Sequence, residues 1–144
     1  MSGASTATRR CGVETRRVQR WTTHRRTVGL ARDELRAALA EWGLSAIEEP
    51  AVLVLSELVT NAITHAFVRG RDIETSFCRG PQGVRLAVDD ADERHHPQRR
   101  PPGEAGGRGL VLVEELSDRW GCRIRRGVGK SVWAVITVPG GRWL

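Results

Sequence analysis

Between Pro50 and Phe67 the apolar residues recur at the spacing of a helix. At about 100° per residue, Val52, Leu55, Val59, Ala62, Ile63 and Ala66 fall on one side. Glu57, Asn61 and Thr64 fall on the other. An earlier helix is predicted over Thr27–Trp42, with Val28, Ala31, Leu35, Leu39 and Trp42 on one side and Gly43 as its stop. Ser45 or Glu49 caps the central helix, with Pro50 in its first turn. The period changes to two in Val84, Leu86 and Val88, which alternate with Arg85, Ala87 and Asp89 and read as a half-buried strand. Further strands are expected near Val18–Thr22 and over Asp72–Cys78. The turn Gly80-Pro81-Gln82-Gly83 links the second of these to the alternating segment. A third helix runs from Gly107 to Leu116, and Cys122–Arg126 with Ser131–Val138 form a closing hairpin. Helices segregated on one face of a mostly antiparallel sheet define a two-layer α+β sandwich.

Two segments carry candidate chemistry. Residues at i and i+4 sit one above the other on a helix, so Glu57 and Asn61 can approach one small object. A solvated polar face would show the same spacing. However, this face has no Lys or Arg in an Arg-rich chain, and Val54 and Leu58 beside it are apolar for a wetted flank. The second segment is Gly106-Gly107-Arg108-Gly109-Leu110, a glycine-rich turn that opens an apolar helix. Such a turn leaves backbone N–H donors unpaired at the positive end of the helix dipole, where anions bind. A plain loop is the alternative for this segment, because a lone Gly-x-Gly is weak.

In order along the chain, Glu57-x-x-x-Asn61-Ala62, Asp90 and Gly107-x-Gly109 resemble the N, G1 and G2 boxes of the GHKL ATP-binding fold (the Bergerat fold), shared by histidine kinases, gyrase-type ATPases and Hsp90. The phrases Ser56-Glu57-Leu58-Val59-Thr60-Asn61-Ala62, Asp118-Arg119-Trp120-Gly121 and Gly129-Lys130-Ser131-Val132-Trp133 are similar to the anti-sigma-factor serine/threonine kinase group, especially its small actinobacterial regulatory members. The likeness spans roughly residues 14–139. It implies ATP and Mg²⁺ as ligands and residue roles to match. Asn61 becomes the metal ligand, Glu57 the catalytic residue that activates the attacking hydroxyl, and Asp90 the acceptor for adenine. Gly107, Gly109 and Leu110 hold the phosphates, and Ser131 sits at the back of the adenine pocket; beside that likeness, Arg108 and Lys130 are candidates to add positive charge near the phosphates. The loop 91–106 becomes a lid over the nucleotide. The implied activity is transfer of the γ-phosphate to a serine of an anti-anti-sigma (STAS-type) partner, together with sequestration of a sigma factor. One departure stands out. The G1 box reads Asp90-Ala91-Asp92-Glu93-Arg94 and lacks both usual glycines, bringing negative charge towards a triphosphate. It leaves open a second expectation: a nucleotide-dependent binding module without phosphoryl transfer.

Composition adjusts this picture in a few places. At 144 residues the chain is one domain over residues 13–144 with a disordered basic tail over 1–12. The net charge of +6 is almost all Arg, since Lys130 is the single lysine. Nucleic-acid binding by this Arg-rich start is disfavoured, because the chain has no Tyr and only two Phe to stack bases. No stretch is long enough to cross a membrane. The three cysteines, Cys11, Cys78 and Cys122, are scattered without a Cys-x-x-Cys pair, which points to reduced thiols and a cytoplasmic location. A second copy of the chain is a further candidate partner.

Overall fold

The computed structural model describes residues 15–65, 72–90, 108–124 and 130–143. Its elements run β1 (Arg16–Trp21), α1 (Arg26–Glu41), a 3₁₀ turn (Ser45–Ile47), α2 (Glu48–His65), β2 (Ile73–Arg79), β3 (Gly83–Asp90), α3 (Arg108–Leu116), β4 (Arg119–Ile124) and β5 (Lys130–Thr137). The order and type of the α-helices and strands match the sequence periodicity, while the 3₁₀ turn at Ser45–Ile47 was not expected. The boundaries shift by a few residues, as frayed ends do. The basic tail, residues 66–71 and the lid segment 91–106 lie outside the described residues.

α1 buries Thr27, Ala31, Leu35, Ala38 and Leu39. It ends where Gly43 turns left-handed at φ 71°. There the Leu44 N–H donates to the Leu39 carbonyl at 2.8 Å and the Gly43 N–H to that of Ala40 at 3.3 Å, a Schellman closure that glycine allows without steric strain. α2 is buried around more of its circumference than a surface helix. Ala51, Val54 and Leu58 are enclosed along with Val52, Leu55, Val59 and Ala62. The cause is its position, since it packs against α1 on one flank, α3 on the other and strands β3 and β5 beneath. That explains the apolar flanks noted in the sequence.

The sheet is antiparallel throughout, in the order β1-β2-β3-β5-β4. Successive side chains alternate between its faces. Ile73, Phe77, Val84, Leu86, Val88, Val132, Ala134 and Ile136 join the helices in one core. The residues between them point to the other face. There Arg85 stacks over the Trp133 ring at 5.3 Å, and burial together with the nearby Arg123 guanidinium holds Arg85 below the usual arginine pKa. β4 meets Trp133 with Gly121, where an added Cβ would lie 3.0 Å from the ring.

Thr75, fully buried among the apolar rows, accepts a hydrogen bond from the Trp21 indole N–H at 2.8 Å. Thr75→Val keeps the shape but leaves that half-buried donor without its partner. We expect a loss of about 1–2 kcal/mol, read as a lower urea midpoint at unchanged m-value. The expectation of reduced thiols is corrected at Cys78, which is disulfide-bonded, while Cys122 keeps its thiol. Disulfide pairing follows proximity in the fold, and sequence spacing does not report it.

Candidate nucleotide site

Glu57 and Asn61 lie one turn apart on α2, both half-buried. They sit at the border between an exposed strip (Leu53, Thr60, Thr64) and the buried positions Val54 and Leu58. Among the described residues the buried Nδ2 of Asn61 has no hydrogen-bond partner. An unpaired buried amide costs about 1–3 kcal/mol, so its persistence calls for a physical reason. A ligand supplies one. The two ends of an amide exchange by a half-turn about its last torsion, which offers either an N–H to a phosphate oxygen or a carbonyl oxygen to a hard cation. The residue present therefore fits a magnesium–triphosphate group.

The sheet supplies the second part of the site. Asp90 continues the row Val84-Leu86-Val88 on the helix-facing side and is only 2% exposed. Strand alternation chose it over Asp89, and the register agrees. Directly across the ladder from Asp90 stands Lys130, 4% exposed, in line with the core residues Val132, Ala134 and Ile136. Ser131 pairs instead with Asp89 and belongs to the opposite face. The structure thus brings Lys130, and not Ser131, beside Asp90. The alternation Lys130, Val132, Ala134, Ile136 was available in the sequence; the motif likeness drew attention to the neighbouring hydroxyl instead. On the adjoining strand, Cys122 lies within electrostatic reach of both charges. Burial raises its thiol pKa, Lys130 lowers it and Asp90 raises it.

The third part is the start of α3. Leu110 and Val113 anchor this helix in the core, at 2% and 0% exposure. Its first turn begins at Arg108 and includes Gly109 and Leu110. The first four backbone N–H groups of a helix have no acceptor within it, so this turn presents donors. Gly107 and the Arg108 side chain lie outside the described residues. Because α2 packs on α3, β3 and β5, the helix bearing Glu57 and Asn61 adjoins both the helix that opens at Arg108 and the strands bearing Asp90 and Lys130. Together they offer a partly buried carboxylate, an amide lacking a partner, backbone donors and a paired acceptor and donor at the sheet end. A phosphorylated heterocycle is the class of ligand that could use all of them.

The family model of the histidine kinase-like ATPase domain matches residues 21–136, from the end of β1 into β5. No curated protein matches the chain.

Proposed function

This chain belongs to the histidine kinase-like ATPase domain family, and from that premise we propose that it is a regulatory Mg-ATP-binding protein of the anti-sigma-factor serine/threonine kinase kind. The observation that carries the nucleotide reading is the unpaired buried amide of Asn61, one helical turn from Glu57. In this reading Asn61 holds magnesium, which supplies charge neutralisation at the phosphate oxygens. Asp90 accepts the exocyclic N–H of adenine. The backbone N–H groups from Gly107 to Leu110 hold phosphate oxygens. Glu57 orients a serine hydroxyl of the partner and takes its proton as the hydroxyl oxygen bonds to the γ-phosphorus. The bond from that phosphorus to the bridging oxygen breaks and ADP departs. The enzyme's contribution is positioning and charge.

The protein partner is a STAS-type anti-anti-sigma protein, with a sigma factor as the molecule sequestered. Such partners place the protein in the cytoplasm. Among the described residues no helix is long and apolar enough to cross a membrane. Asp92 and Glu93, standing where glycines are usual, favour the second reading: a nucleotide-dependent module that grips its partner without transferring phosphate.

Calorimetric titration with ATP, with and without Mg²⁺, tests the site. We expect magnesium-dependent binding by the wild type and its loss in Asn61→Ala. Absence of heat from the wild type up to millimolar ATP would remove the nucleotide reading.

A further inference from the structure

A cavity of about 470 Å³ opens at the end of the sheet away from Asp90, where the β2–β3 turn meets the C-terminal end of α1. β3 begins at Gly83, beside that turn, and ends at Asp90. At about 3.3 Å per residue the two ends lie roughly 20–25 Å apart, so the cavity is separate from the candidate nucleotide site. Among the described residues its apolar walls are Trp42, Leu44, Pro81 and Trp143, and Arg79 is its cation. Small-molecule sites have this character: clefts of about 300–1,000 Å³, mostly apolar and aromatic, with a few polar groups that orient the ligand.

The tryptophan wall is fixed by the chain around it. The Val138 N–H donates to the Gln82 carbonyl at 2.8 Å and the Arg142 N–H to the Gln82 side-chain oxygen at 2.8 Å, which ties the C-terminal segment to the turn. The Trp143 ring lies against Gly80, where an added Cβ would stand 2.4 Å from it. Trp42 caps the end of α1 and packs partly on the core, so it too is held. Two indoles offer flat, polarisable faces, against which an aromatic ring stacks better than an aliphatic one. Arg79 is exposed, and its guanidinium enters no ion pair among the described residues. A planar guanidinium matches a carboxylate with two parallel hydrogen bonds. The described lining adds no second cation, which suits one negative charge and not a triphosphate. We propose that this cavity is a second ligand site, which takes a small aromatic carboxylate with its ring against Trp42 and Trp143 and its charge on Arg79. The assignment uses no residue of the ATP-binding reading and stands apart from it.

The probe is 2-naphthoate, titrated into the ¹⁵N-labelled full chain with the indole N–H resonances as the readout. The five tryptophans give five such signals. Those of Trp42 and Trp143 are expected to move and saturate, while those of Trp21, Trp120 and Trp133 stay in place. 2-Naphthamide keeps the ring and loses the charge, and is expected to bind roughly 3- to 10-fold weaker. Cyclohexanecarboxylate keeps the charge and loses the aromatic face, and is expected to bind weaker by roughly the same factor. Arg79→Gln, a change at an exposed position, is expected to bind acid and amide alike. If Trp42 and Trp143 do not move up to millimolar naphthoate, or all five signals drift together without saturating, the assignment is wrong. If the wild type binds acid and amide equally, or Arg79→Gln still prefers the acid, the guanidinium does not read the charge and the assignment fails; the wild-type comparison needs no variant to fold. If the aliphatic acid binds as tightly as naphthoate, the aromatic class is wrong. ATP added to the naphthoate complex is expected to leave both signals where they are. Displacement by ATP would make the cavity a nucleotide site and overturn the assignment.

Discussion

Glu57→Ala is expected to slow phosphoryl transfer to a serine acceptor by about 10²–10⁴-fold while leaving the ATP dissociation constant nearly unchanged. The carboxylate sits at the margin of α2, half-buried, where a side chain contributes little to the core. Under the proposed kinase reading, removing it takes away a proton acceptor and an orienting group for the attacking hydroxyl. It does not touch Asp90, the proposed adenine acceptor, or the backbone donors of α3. Single-turnover transfer of labelled phosphate to a candidate partner gives the rate, and calorimetry on the same preparation gives the affinity. A variant that transfers phosphate as fast as the wild type would exclude Glu57 from the chemistry. A wild type that binds ATP and never transfers would move the protein to the binding-module reading.

The largest loss of stability is expected at Phe77→Ala, at about 3–5 kcal/mol. Phe77 is among the bulkiest fully enclosed side chains, 1% exposed, and it faces Leu86 across the β2–β3 ladder. Truncation leaves a void bounded by sheet and helices, whose rigid packing prevents collapse. Domains of ordinary stability have about 5–15 kcal/mol in total, so much of the margin disappears. At this size the melting temperature should fall by roughly 10 °C. Val18→Ala is the control. Val18 is 46% exposed, and its replacement should change stability by no more than about 0.5 kcal/mol. A small effect at Phe77 would mean that the enclosed core around β2 is not as the register places it.

The architecture was legible because each amphipathic element carries one clear period. Val84, Leu86 and Val88 announce a strand, and Ala31, Leu35 and Leu39 a helix. α2 was read as one-sided, although Val54 and Leu58 are also enclosed, because packing on three sides is a property of its neighbours. Glu57 and Asn61 were singled out by helical spacing together with motif, and Asp90 by motif, as candidates. Ser131 was placed in the adenine pocket and Lys130 near the phosphates, yet it is Lys130 that stands across from Asp90, because a motif names residue types and only the register says which face of the sheet each one occupies. The unpaired state of the Asn61 amide could not be read beforehand at all. It depends on what surrounds the amide in the fold, which spacing along the chain does not report.

The placement of β5 between β3 and β4 has a consequence during synthesis. While the ribosome is still making residues up to Ile124, β4 has no strand to lie against, and β3 keeps an open edge that the later strand will fill. Asp90 then sits on an unpaired border, without the lysine that will stand opposite it. Only when Lys130–Thr137 threads into the gap do both halves of the sheet become one. Nascent chains stalled before that point should be sensitive to proteases and prone to edge-to-edge association. Release of the final strand should abolish both behaviours together, so the nucleotide pocket and the sheet would be completed in the same step.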